Sequence, residues 1–194
     1  MQDSELIKGL RNGSSEAFKK LIELHQVSLI RLCKGFLPLE NDVQDIVQET
    51  FIEVFESISR FREDARLSTW IYRIAVNKSL NLVRKNKVHR LFLSRDFFSG
   101  RYQQADQIAL PDNTMEQPGF TLENREKALQ IRRAMDTLPE NQRIAFVLNK
   151  FQDLSYKEIA AVMDVSLASV ESLIHRAKIN LQQKLFALYK KNLL

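Results

Sequence analysis

Along most of this chain apolar residues return every third or fourth position, the interval that gathers them into one stripe on an α-helix. Within residues 15–36, Phe18, Leu21, Ile22, Val27, Leu29, Ile30, Leu32 and Cys33 cover more than one face, which predicts a central core helix. Pro38 ends it, because the residue before a proline is pushed out of helical geometry. Asn41 then offers a cap with Gln44 three residues on, and Val43, Ile46, Val47, Phe51, Val54, Phe55 and Ile58 form a second stripe. Beyond a charged loop at residues 59–69, Ser68 or Thr69 is placed to cap a helix over residues 70–86, with Ile71, Ile74, Ala75, Leu80, Leu82 and Val83 inward. Residues 91–119 lose the period: Phe92, Phe97 and Phe98 alternate with polar residues, and Pro111 and Pro118 follow. A stretch of that length without a period reads as an interdomain linker. Helix resumes over residues 122–138 on Ala128, Ile131, Met135 and Leu138. Pro139 then starts another helix, where its missing N–H costs least, with Ile144, Val147, Leu148 and Phe151 lining its inner face.

The best-marked local signals lie in residues 154–185. Ser155 and Glu158 have the spacing of a capping box, and Leu154 can staple onto Ile159. Ser166 repeats the cap for a second helix, leaving only Asp164, Val165 and Ser166 for the turn. Two short helices joined so closely cross steeply, which is a helix-turn-helix. On the second of them Val170, Leu173, Ile174, Ala177 and Leu181 form the buried stripe. The opposite face carries Ser169, Glu171, Ser172, His175, Arg176 and Lys178, short polar groups followed by cations. In a DNA-reading helix-turn-helix such groups meet base edges in the major groove while flanking cations meet phosphates. The plainer alternative is a helical hairpin within an all-helical core.

Composition agrees with the periodicity. The 194 residues include only five glycines and four prolines, and no run alternates in the manner of a strand. The expectation is an all-α protein of two small helical domains joined by a flexible linker, the second containing the helix-turn-helix. We place the boundaries at residues 1–91, 92–120 and 121–194. The formal net charge of +5 suits a polyanionic partner, nucleic acid first among them. Cys33 is the single cysteine, which excludes an internal disulfide and a thiolate metal cage. Residues 1–10 lack an apolar signal core, and no apolar run approaches the roughly 20 residues that a membrane helix needs. We therefore expect a cytoplasmic protein without direct membrane insertion.

Two charged surfaces carry the candidate chemistry. Asp42, Asp45, Glu49, Glu53 and Glu56 share one side of the second predicted helix. The helix dipole accounts for Asp42 and Asp45 but not for the others, leaving a solvated face or a docking face for a basic protein. A carboxylate–metal nuclease built on Asp45 and Glu49 is the enzymatic alternative. No histidine, second acid cluster or glycine-rich phosphate loop accompanies them, so no catalytic residue, metal site or cofactor is assigned. The following helix bears Arg73, Lys78, Arg84 and Lys85 with Trp70, Tyr72 and Asn77 interleaved. Cations and aromatics so mixed can hold a phosphate backbone and stack on bases.

Three blocks then carry a resemblance: DVQDIVQETFIEVF from Asp42, FREDARLSTWIYRIAVNKSLNLVRK from Phe61, and LPENQRIAFVL followed by LSYKEIAAVMDVSLASVESLIHRAK. In this order and at these separations the chain resembles the extracytoplasmic-function group of bacterial RNA polymerase sigma factors. The resemblance implies a factor that binds core RNA polymerase and directs promoter-specific initiation by recognising and helping to melt promoter DNA. It implies polymerase docking by Asp42, Asp45, Gln48, Glu49 and Glu53. It implies capture of the minus-ten element by Phe61, Arg62, Arg66 and Ser68 in the loop and by Trp70, Arg73, Asn77, Lys78, Arg84 and Lys85 along the helix. The minus-thirty-five element would fall to Ser169, Glu171, Ser172, His175, Arg176 and Lys178. Relatives are commonly held by an anti-sigma protein, which joins polymerase and promoter DNA among the expected partners. The chain departs from the common pattern at Glu171 and Leu173, where many relatives are basic, and at Asn81, where an acidic residue is usual. Glu171 can accept from a cytosine amino group. The competing reading is a stand-alone helix-turn-helix regulator with a helical sensing domain.

Overall fold

The helical stripes close into two separate cores, seen in a computed structural model that describes residues 3–96 and 122–192. Among the described residues there are eight α-helices and one 3-10 turn. The helices are α1 (Asp3–Arg11), α2 (Ser15–Lys34), α3 (Glu40–Ser57), α4 (Leu67–Asp96), α5 (Leu122–Asp136), α6 (Glu140–Phe151), α7 (Tyr156–Met163) and α8 (Leu167–Asn192), with the 3-10 turn at Ile58–Arg60. α1 to α4 form one unit and α5 to α8 the other.

In the first unit α2 is the shared element, packed by α1, α3 and α4. Leu21, Leu29 and Leu32 of α2, Val43 and Val54 of α3, and Ile71 and Ala75 of α4 are all fully buried in the core of this unit. The Cys33 thiol lies in that core, accepting from the Ser79 hydroxyl at 3.7 Å. Burial pushes it up to about 11, against the opposing effect of that hydrogen bond, so it is an inert packing group. His25 is also a packing residue: burial lowers its pKa, and the Asp3 carboxylate only partly opposes this.

α1 is an element the periodicity did not reveal, since only Leu6, Ile7 and Leu10 carry its buried face. It turns into α2 through Gly13 at φ 69°, in the left-handed region that glycine enters freely. A Cβ at Gly9 would stand 2.7 Å from that of Ala17, so the two helices touch backbone to side chain there.

Several helix ends differ from expectation. α2 is capped by the Ser14 hydroxyl and stops at Lys34, where Gly35 closes it two residues early. α3 starts at Glu40, with Leu39 in the cap position and no side-chain cap; Asn41 lies inside it, and Gln44 donates to Glu40 instead. α4 begins at Leu67, ahead of Ser68 and Thr69, because Leu67 is anchored in the core and Trp70 N–H bonds to the Arg66 carbonyl. It continues to Asp96, beyond residue 86 and into the segment assigned to the linker; residues 97–121 lie outside the described residues.

The second unit packs α5, α6 and α7 against α8. Pro139 occupies the cap position of α6 rather than its first turn, and its carbonyl accepts from Arg143 N–H. Ile131 and Phe151, expected inside, are 46% and 37% exposed. The capping box is present in both directions, Ser155 N–H to Glu158 at 2.9 Å and Glu158 N–H to the Ser155 hydroxyl at 3.3 Å. Ser166 accepts from Ser169 N–H at 3.2 Å, as its cap spacing predicts. Asp164 makes the turn at φ 56°, an aspartate in the left-handed region.

Candidate polymerase and promoter interface

α3 turns its apolar stripe inward and leaves Asp45, Gln48, Glu49, Glu53 and Glu56 exposed, with Asp42 half-buried. Thr50, buried beneath them, returns its hydroxyl to the Ile46 carbonyl at 2.6 Å and so needs no outside partner. The acidic face is not unopposed. Lys78 reaches across from α4, with its ammonium 2.9 Å from Glu53 and 3.4 Å from Glu49. Burial disfavours this charge, but hydrogen bonds and attraction from Glu53 and then Glu49 outweigh it, holding the pKa above the usual lysine value. Lys78, expected along the DNA strand, is therefore engaged with α3 in the protein alone. The α3–α4 packing points it at the carboxylates, and the 29-residue separation left no local spacing by which to see the pair.

The loop before α4 is built on a ring stack. Phe61 is 6% exposed and lies against Trp70 with centroids 5.0 Å apart and planes at 29°. Phe61 is thus the floor on which the half-buried Trp70 rests. Tyr72 is likewise buried, leaving Trp70 as the partly open aromatic of this surface. Arg62 and Arg66 are exposed and Ser68 is half-buried. Between them Glu63 sits at φ 61°, a conformation that costs a residue with a Cβ about 1 kcal/mol. Arg11, at the end of α1, spans this loop with one guanidinium nitrogen 2.7 Å from the Phe61 carbonyl and another 2.8 Å from the Glu63 carboxylate. The sequence reading missed Arg11 because α1 itself carried no recognised pattern.

Along α4, Asn77, Asn81, Arg84 and Lys85 are exposed and Arg73 is half-buried. Nothing in the structure explains the asparagine at residue 81.

In the second unit Val170, Ile174, Ala177 and Leu181 are buried and Leu173 is half-buried. Ser169, Glu171, Ser172, His175, Arg176 and Lys178 are all exposed. The Ser169 hydroxyl shares a 2.8 Å hydrogen bond with that of Ser166. Lys178 has a second environment, the rim of an apolar groove lined by Ile131, Phe146, Leu181, Leu185, Phe186 and Tyr189. Asn180 donates to Gln142 at 2.8 Å and ties α8 to α6. No group of three or more potential metal-ligating side chains occurs among the described residues.

The first unit thus carries an acidic helix bridged to a basic, tryptophan-bearing one, and the second carries a helix-turn-helix, the features of a helical DNA-reading protein. The family models agree: Sigma-70 region 2 matches residues 21–88 and Sigma-70 region 4 matches residues 128–181. The ECF RNA polymerase sigma-E factor of Escherichia coli (strain K12) is 32% identical over 98% of each chain. RNA polymerase sigma-H factor of Pseudomonas aeruginosa is 31% identical over 91% of this chain and 90% of its own. Among solved structures, CnrH in complex with the cytosolic domain of CnrY has a TM-score of 0.70 at 25% identity, covering 95% of this chain and 97% of that one. The chain belongs to the sigma-70 family, in its extracytoplasmic-function group. It is an RNA polymerase sigma factor, binding core polymerase and promoter DNA to direct transcription initiation. No described helix is long and apolar enough to cross a membrane.

Proposed function

We propose that the two units divide the work of initiation. Residues 1–91 dock on polymerase and read the minus-ten element, residues 92–120 link, and residues 121–194 bind the minus-thirty-five element. The observation that carries this reading is the simultaneous exposure of two unlike polar faces on separate cores: Asp45, Gln48, Glu49 and Glu53 on α3, and Ser169, Glu171, Ser172, His175 and Arg176 on α8. The acidic face suits a basic protein surface, for which complementarity sets association rate and partner choice. Asp42, at the start of α3, completes it.

The minus-ten surface comprises Arg62, Arg66 and Ser68 of the loop with Trp70, Arg73, Asn77, Arg84 and Lys85 of α4. Unstacking a base costs a few kcal/mol, which a stacking ring and cations along the strand must offset. Trp70, propped by Phe61, supplies the ring. The chain acts without catalysis of its own and works in the cytoplasm. Of Asp45 and Glu49, the carboxylates a metal-dependent nuclease would need, Glu49 already faces an internal ammonium. An anti-sigma protein is a further partner in this reading; CnrH, similar to this chain, is itself solved with a bound protein, the cytosolic domain of CnrY.

Transcription by core polymerase and this chain from templates randomised upstream of the start site tests the division of work. Transcribed templates should be enriched for two separated elements. Enrichment of one element alone would contradict it.

A further inference from the structure

Arg11 stands outside both surfaces yet is bound to one of them. It ends α1, a helix fixed to α2 by Leu6, Ile7 and Leu10, and its guanidinium holds two points of the loop before α4, the Phe61 carbonyl and the Glu63 carboxylate. Its two bonds come from two different nitrogens of one planar fork, so they fix the direction of the loop as well as its distance from α1. Glu63 is held at φ 61°, a conformation disfavoured for a residue bearing a Cβ, and its bond to Arg11 offsets part of that cost. Phe61, at the other end of the grip, is the ring under Trp70. One side chain therefore sets both the path of exposed residues 62–66 and the carbonyl end of the ring stack.

We propose that Arg11 is the positioning residue of the minus-ten loop, presetting the shape in which residues 62–68 receive an unstacked base. This rests on the assignment of that loop to the minus-ten element. A preset loop does not have to be ordered when DNA arrives, so part of the entropic cost of capture is met beforehand. Arg11 itself, 36% exposed at the side chain and engaged in both bonds, makes no base contact.

The test uses the full chain bound to core polymerase. The probe is a fork-junction DNA whose single-stranded minus-ten segment is randomised, captured by the holoenzyme and sequenced. Arg11→Met keeps the stem and removes the fork. It should reduce the preference for the best over the worst base by about tenfold at the positions the loop reads, leaving polymerase affinity within about twofold. Glu63→Gly removes the carboxylate and relaxes the backbone while leaving the bond to the Phe61 carbonyl, and should reduce the preference in the same direction by a smaller factor. Because Glu63 acts through Arg11, whose loss also removes the bond to the Phe61 carbonyl, the double variant should lose no more than Arg11→Met alone. A merely structural role would lower the amount of folded protein while leaving base preference intact in the captured complexes. Full base preference in Arg11→Met, or additive losses in the double variant, would overturn the proposal. A parent holoenzyme without any preference in this segment would instead overturn the minus-ten assignment, and this inference with it.

Discussion

Lys78 separates two physical accounts of the first unit, because it can neutralise the acidic face or contact promoter phosphate. Its ammonium stands 2.9 Å from Glu53 and 3.4 Å from Glu49, with 24% of its side chain exposed. Measured ion pairs at exposed positions contribute roughly 0.2 to 1 kcal/mol each. Both glutamates are largely open to solvent, so screening keeps these pairs toward the low end, and together they are worth roughly 0.5 kcal/mol. Lys78→Met preserves the stem and deletes the charge, leaving Glu49 and Glu53 to repel one turn apart at a further cost of roughly 0.2 to 0.5 kcal/mol. Trp70, the one tryptophan in the chain, lies in this unit, so its fluorescence in urea follows the unit's unfolding without interference from the other. The variant should be about 1 kcal/mol less stable, with a smaller gap at high salt. Holoenzyme binding to duplex promoter DNA should retain its salt dependence in Lys78→Met, whereas Arg84→Met should reduce the slope by about 0.9, one phosphate's worth. A slope reduction of that size in Lys78→Met would refute the assignment, showing that Lys78 leaves its glutamates for DNA.

Arg176→Ala should weaken minus-thirty-five binding by about 1 to 3 kcal/mol with the loss concentrated at one base pair; an equal loss on every sequence in a competition assay would make it a phosphate contact. His25 has its pKa lowered by burial from 6.5, so the unfolded chain takes up the proton more readily. Its contribution to stability is present above pH 6.5 and is lost as pH falls below that towards the folded value. The urea midpoint read by Trp70 should drop between pH 7 and pH 5, and His25→Leu should reduce that drop; an unchanged drop would show that other groups cause it.

Helix interiors were legible because a continuous stripe such as Val43, Ile46, Val47, Phe51 and Val54 reflects burial directly. The helix-turn-helix was legible for a different reason: its caps use residues only three apart, Ser155 with Glu158 and Ser166 with Ser169. What escaped depends on tertiary contact. α1 is too short to show a period of its own and is held by packing on α2. The start of α4 was displaced by the burial of Leu67, which no capping rule registers. At the candidate sites, residue type identified the acidic and basic faces, but orientation was hidden. Lys78 and Phe61, expected among the DNA contacts, have partners within the unit, Glu53 and Trp70, that show only once α3, the loop and α4 are packed together. The grip of Arg11 on a loop 50 residues away is of the same kind.

The claim on which the rest of the account stands is that the exposed carboxylates of α3 hold the polymerase. Affinity of purified core polymerase for the Glu49→Lys/Glu53→Lys protein, against the parent, tests it most directly. Reversal also sets two lysines against Lys78, so a Glu49→Gln/Glu53→Gln protein with the same fold check accompanies it. The account predicts that affinity falls in the neutralised protein and falls further in the reversed one while both remain folded. Parent-like affinity in the folded, reversed protein would contradict it.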